Sequence, residues 1–288
     1  MMMHKIKVAV AVLGIALGLA SCSDVRINDH DEWKPVFDKY KVTEGCFEYY
    51  DNNKEEANYY NKERCSKRMS PASTFKIFNS LVALETGVAL DEQVKIKWDG
   101  VARRPEWDKD LTMADAFKVS AVPYYQELAR RIGAKEMQHY LDTVQYGNMQ
   151  IGNQIDQFWL NDTLQITPDE QVGFMKRLYH DELPFSPRSQ RIVKGMMLQE
   201  TATDYQLYYK TGWSSIDGAK EDILWVVGYA ETVHRLKNPK TGEMQAIPHP
   251  YFFALNFSVP KNSDSKTLVE TRIKLLHDLL NEAGIHKY

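Results

Sequence analysis

The apolar positions of this chain change their spacing three times. From Val8 to Ala20 they form one unbroken run of 13 residues behind Lys5 and Lys7. That is too short to span a bilayer comfortably, and it has the length and basic flank of an export signal. From Ser23 to about Tyr40 the chain is charged and aperiodic, which predicts a tether. Two aromatic runs follow, Phe47-Glu48-Tyr49-Tyr50 and Asn58-Tyr59-Tyr60-Asn61, separated by the polar stretch from Asp51 to Glu56. This pattern predicts a β-hairpin centred between Glu55 and Glu56.

The period then becomes helical. Ile77, Phe78, Leu81 and Leu84 recur on one face, and Gly87 stands where the helix should stop. Thr112 precedes Met113, Ala116 and Phe117, and Gly133 splits Tyr125–Ile132 from Ala134–Leu141. Thr167-Pro168-Asp169-Glu170 is a capping box with proline at the first helical position, and Ser186-Pro187 opens another helix. Beyond Thr201 the pattern turns to strands: Tyr205, Leu207 and Tyr209 alternate, and Ile223–Ala230 and Tyr251–Val259 are apolar and β-rich. A helix from Glu270 to Glu282 closes the chain. Strands at both ends with helices between them predict an α+β fold: a central antiparallel sheet flanked by helices, with an inserted all-helical region. The expected division is a signal over 1–21, a tether over 22–40 and one catalytic domain over 41–288. Within that domain, 41–70 and 201–288 supply the sheet, 71–200 the helices, and the active site lies between them.

Composition narrows the function class. The chain has 288 residues, 43 % hydrophobic and 11 % aromatic, with a net charge of −3. Such a balance gives no reason to expect nucleic acid as a partner. The signal run ends Leu19-Ala20-Ser21-Cys22, which resembles a bacterial lipoprotein cleavage box, so Cys22 is expected to carry lipid. A membrane would then be met only through that anchor, in the periplasm or its equivalent. Cys46 and Cys65 remain, and the predicted hairpin sets them opposite one another. A cross-strand disulfide and two buried thiols are both open readings.

Candidate chemistry starts at Ser73-Thr74-Phe75-Lys76, a hydroxyl and an amine one helical turn apart at the head of an apolar helix. The same spacing recurs at Ser258…Lys261 and Ser263…Lys266, so the spacing alone does not choose. Pro71-Ala72 ahead of Ser73 places it in the first turn, where the positive helix end favours an oxyanion. Apolar neighbours should make Lys76 lose its proton more readily than a free lysine. Ser120-Ala121-Val122 supplies a second hydroxyl, able to relay a proton, beside a side chain that keeps the spot dry. Lys210-Thr211-Gly212 follows an alternating strand and suits a substrate carboxylate beside a closely approaching backbone. Lys240-Thr241-Gly242 has the same letters but sits in a Pro-rich polar turn.

Taken in order, Ser73–Lys76, Ser120–Val122, Tyr146-Gly147-Asn148, Phe158-Trp159-Leu160 and Lys210–Gly212 resemble the class D serine β-lactamases, the oxacillinases. The likeness runs from about Cys46 to Ile285. It implies the serine β-lactamase and penicillin-binding-protein fold and a β-lactam substrate hydrolysed through acylated Ser73. It also implies a Lys76 carbamylated by CO2 as general base, with no other cofactor and no metal. On this resemblance Trp159 donates to the carbamate beside Val122, and Ser120 relays a proton. The backbone N–H groups of Ser73 and Trp213 form the oxyanion hole. Lys210, Thr211, Gly212, Arg272 and Tyr146 hold the substrate. Two rival readings remain: a penicillin sensor that acylates and stalls, and a D-Ala-D-Ala peptidase. A monomer and a homodimer are equally compatible with the sequence.

Overall fold

A computed structural model describes residues 25–261 and 263–285. The expected export signal over 1–21 and Cys22 lie outside the described residues. The elements are, in order, β1 (Arg26–Asp29), α1 (Lys34–Lys39), β2 (Gly45–Asp51), β3 (Glu56–Tyr60), α2 (Lys62–Cys65), α3 (Lys76–Glu85), β4 (Lys95–Ile96) and β5 (Leu111–Thr112). They continue with α4 (Met113–Lys118), α5 (Val122–Ile132), α6 (Ala134–Val144), α7 (Pro168–Tyr179), α8 (Pro187–Met197), β6 (Leu198–Ala202), β7 (Tyr205–Ser214), β8 (Glu221–Lys237), β9 (Met244–Pro260) and α9 (Ser265–Glu282).

One seven-stranded sheet has the order β1-β3-β2-β9-β8-β7-β6. Its two central strands are apolar on both faces, and period-2 alternation sorts their side chains into two cores. Trp225, Val227, Tyr229, Phe252 and Ala254 face the helical region, where they join the core built on α3, α5, α6 and α7. Leu224, Val226, Phe253, Leu255 and Phe257 face the other way and are covered by Leu275, Leu276, Leu279 and Leu280 of α9, with Trp33 and Phe37 from the N-terminal segment. The expected α+β architecture is therefore present, and the helical region packs on one face of the sheet.

Three expectations are corrected. The sheet is mixed rather than antiparallel, because β1 pairs parallel to β3. That strand also removes the tether over residues 26–40: β1 extends the sheet, and Trp33 and Phe37 are buried at 3 % and 1 % exposure. The aromatic residues fix this segment; its charges face solvent and hide the period. The β2–β3 hairpin pairs Asp51 with Glu56 and Phe47 with Tyr60, so its centre falls between Asn53 and Lys54. Cys65 is thus not opposite Cys46 across the hairpin. It is brought there by α2, whose cap Asn61 accepts from Arg64 N. Both cysteines are free and fully buried, with their side chains hydrogen-bonded to each other.

Helix signals map closely onto the structure. Thr112 caps α4, Thr167 and Glu170 form the reciprocal capping box of α7, and Ser186 caps α8. The closing helix starts at Ser265, five residues ahead of expectation, because Asp264 accepts from the Lys266 and Thr267 amides.

Candidate active site

The nucleophile turn is a short 3-10 segment, Ala72–Phe75, that runs directly into α3. Two anchors hold it. Ala72 adopts a left-handed backbone with φ +47 and donates its N–H to Trp159 O at 3.1 Å. Ser70 Oγ donates to the same carbonyl at 2.9 Å, and Trp225 Nε1 donates to Ser70 O at 3.0 Å. A central strand of the sheet and the loop carrying Trp159 therefore fix where Ser73 points.

Lys76 Nζ lies 2.7 Å from Ser73 Oγ. The lysine is 1 % exposed, and its ammonium stands 5.3 Å from the centre of the Tyr125 ring. Burial with no carboxylate partner pushes its pKa down from 10.5 to about 7. A lysine lowered this far loses its proton near neutral pH, and the uncharged amine can accept the Ser73 proton.

A second hydroxyl–amine pair faces the first. Lys210 Nζ donates to Ser120 Oγ and to Thr211 O, both at 3.0 Å. Ser120 sits in the sharp junction between α4 and α5 with φ +57, which a serine adopts only under restraint. Its restraints are Ser120 N to Phe117 O at 3.2 Å and Ala121 N to Ala116 O at 2.8 Å. Lys210 is 4 % exposed, and its pKa is held well below that of a free lysine, first by burial, then by the charges of Lys76 and Arg272.

Gly212 explains why β7 can lie against the nucleophile turn. A Cβ there would come within 3.0 Å of Pro71 O and 3.1 Å of Thr74 Cγ2. Arg272, on α9, donates from Nη1 to Gly212 O at 3.2 Å, while its Nε is buried without a partner. Burial lowers its pKa to about 10, with Tyr209 opposing that shift. Ser73, Ser120, Val122, Thr211, Gly212, Trp213 and Arg272 line one cleft of about 900 Å³. Arg104, Lys118, Lys266 and Arg272 line it against Glu106, Asp222 and Glu270.

Trp159 is fully buried, stacked on Phe75 at 5.3 Å, and its Nε1 has no hydrogen-bond partner. Tyr146 is a correction: it does not reach the cleft. Its ring is 1 % exposed and packs against Phe75, Phe78 and Phe174. The Tyr-Gly-Asn turn braces the Trp159 loop instead. Asn148 Nδ2 donates to Thr163 O at 2.9 Å, its Oδ1 accepts from Gln165 N at 3.0 Å, and a Cβ at Gly147 would strike Gln165 O at 2.2 Å. The spare copies of the motifs fall away as well. Ser258 Oγ accepts from Arg64 Nη2 at 2.9 Å, and Lys240 is exposed at the tip of the β8–β9 hairpin.

Sequence reasoning missed Asp222. It is 6 % exposed, lines the cleft, and accepts from Trp213 Nε1 at 2.9 Å, so it sets the orientation of that indole. No local signal marks it, because its role depends on β8 lying beside β7.

This geometry agrees with comparisons to known proteins. A family profile described as the penicillin binding protein transpeptidase domain matches residues 39–243. Beta-lactamase OXA-48 of Klebsiella pneumoniae is 38 % identical over 81 % of this chain and 82 % of its own. The crystal structure of a class D β-lactamase from Sebaldella termitidis superposes with a TM-score of 0.81 at 32 % identity, covering 91 % of this chain and 99 % of that one. The chain belongs to the class D β-lactamase family. The same fold serves the C-terminal domain of the Bacillus licheniformis BlaR penicillin receptor, which is 29 % identical with a TM-score of 0.79 over 92 % of this chain and 99 % of the domain.

Proposed function

We propose that this class D enzyme hydrolyses β-lactams through a Ser73 acyl-enzyme with Lys76 as the base. The observation that carries the reading is the buried Lys76 amine, 2.7 Å from Ser73 Oγ and near neutrality at pH 7. The substrate carboxylate is held by the Lys210 and Arg272 cations and the Thr211 hydroxyl; both cations are buried and neither has an ion pair among the described residues. Uncharged Lys76 takes the Ser73 proton as Oγ attacks the lactam carbonyl. The Ser73 and Trp213 amides receive the developing oxyanion beside the positive end of the helix. Ser120, hydrogen-bonded to Lys210, passes a proton to the lactam nitrogen as the ring opens. Val122 and Trp213 wall the cleft and limit water to what deacylation uses.

The residues around Lys76 fit a carbamate. An uncharged amine is the form that adds to CO2, and the unpartnered Trp159 N–H is a buried donor in need of an acceptor. Bound to Lys76, CO2 would supply a carboxylate-like base in place of the free amine. Trp159 would hold it, and Tyr125 and Phe75 would keep it from water.

The test is steady-state turnover of a chromogenic cephalosporin with and without bicarbonate, together with intact mass after mixing. Many turnovers per enzyme, stimulated by bicarbonate, are expected. One stoichiometric burst with a stable acyl adduct would make this a sensor. Release of D-alanine from a wall peptide without lactam turnover would make it a peptidase. Export and lipidation at Cys22 belong to the same reading. Fatty-acid labelling that survives in wild type and vanishes in Cys22→Ser tests the anchor. Among the described residues no helix is long and apolar enough to cross a membrane.

A further inference from the structure

A second cavity, of about 290 Å³, adjoins the cleft. The two share one wall, the Trp107 indole. Its apolar lining includes Ile96, Leu111 and Tyr124, the last anchored through its hydroxyl to Val94 O at 2.8 Å. Around this lining stand Lys95, Lys97, Lys109, Arg130 and Arg131, against only Asp99 and Glu127. Both acids are already engaged: Asp99 with Arg103 at 2.7 Å, and Glu127 with Arg130 at 3.0 Å and Arg131 at 2.8 Å. Arg130 is further paired with Asp156 at 2.5 Å. Lys95, Lys97 and Lys109 have no ion pair among the described residues.

An apolar, aromatic-walled pocket with three unpaired ammonium groups at its rim has a specific complement. We infer that this cavity binds a small amphiphilic carboxylate, with a ring system against Trp107 and Tyr124 and its charge among Lys95, Lys97 and Lys109. The volume sits at the small end of ligand pockets, which start at roughly 300 Å³, and fits a fused bicyclic acid better than a whole antibiotic. Binding at this place reaches the catalytic machinery. Trp107 Nε1 donates to Val119 O at 3.0 Å, the carbonyl that immediately precedes Ser120, and Arg104 lies over the other part of the indole at 4.5 Å. A ligand pressing on Trp107 from this cavity moves the wall of the cleft and loads the strained junction that holds Ser120. Its signature is a change in kcat without competition for substrate.

The probe is 1-naphthoate, with uncharged 1-naphthamide as its control and a Lys97→Glu/Lys109→Glu double variant. Turnover is measured at substrate roughly tenfold above KM, where competition in the cleft is suppressed. The expected results are a fall in kcat with naphthoate only, and a weakening of that effect by about tenfold or more in the double variant. The double variant itself should keep kcat/KM within about twofold of native, since neither lysine lines the cleft. Calorimetry needs no turnover and reads the site independently: the native protein should bind one more naphthoate than the double variant. A naphthoate that acts only on KM or leaves kcat unchanged, equal action by naphthamide, or equal stoichiometry in the two proteins would overturn the inference.

Discussion

Replacing Lys76 by methionine tests the central physical claim without relying on activity. The wild-type lysine carries a pKa of about 7 when folded against 10.5 when free. A lowered pKa means the unfolded chain binds more protons between these values, so stability rises with pH across this window and is flat above it. Below pH 7 the ammonium is present in both states, and the folded protein bears the whole penalty. That penalty is 3.5 pKa steps at 1.36 kcal/mol each, about 5 kcal/mol in full and about 4 kcal/mol at pH 7. Methionine keeps the length of the stem and removes the charge. It also forfeits the hydrogen bond to Ser73, which costs about 1 kcal/mol. Lys76→Met should therefore be inactive yet more stable than wild type by about 3 kcal/mol at pH 7. The advantage should disappear near pH 10. Urea unfolding of both proteins in CO2-free buffer at pH 7, 8, 9 and 10 measures the difference. Comparing the two cancels the other titrating groups, apart from Lys210, whose release from the Lys76 charge acts in the same direction. A stability difference that stays constant within about 1 kcal/mol across this range would refute the proposed burial of the amine.

Other outcomes follow from the same geometry. Lys210→Ala should lower kcat/KM by at least about thirtyfold, the scale of a charged hydrogen bond of 2 kcal/mol or more, while Lys240→Ala stays near wild type; equal losses would mean that the cleft is not the site. Because burial and two neighbouring cations depress Lys210, a bound carboxylate should raise its pKa and draw in a proton. Calorimetry of an anionic inhibitor at pH 7.5 in buffers of different ionisation enthalpy should show net uptake, and none would contradict the assignment. Gly212→Ala should force β7 away from Pro71 and Thr74 and reduce kcat more than tenfold, roughly, while the melting temperature moves only a few degrees. Asp222→Ala should free the Trp213 indole and raise KM across substrates; unchanged kinetics would show that the indole is held by packing alone.

The order of elements was determined by the sequence itself, because the signals that carry it are local. Periodicity marked α3 and α9, and caps at Thr112, Thr167 and Ser186 need only their own next three residues. The apolar, β-rich runs of β8 and β9 announced strands, and the serine–lysine spacing needed only one helical turn. Tertiary structure decided everything that depends on distant chain meeting. The alternating strand and the Pro-rich turn already separated Lys210 from Lys240 in the sequence; the fold added the close approach of the Lys210 strand to the nucleophile turn. It took Tyr146 out of the cleft and gave the role of positioning Trp213 to Asp222, nine residues away on a neighbouring strand. It turned a charged N-terminal segment into a sheet strand, since parallel pairing with β3 leaves no trace in the period of β1. The lowered pKa of Lys76 belongs to both levels: sequence surrounds it with apolar neighbours, but only the packed fold excludes water and opposing charge from its amine.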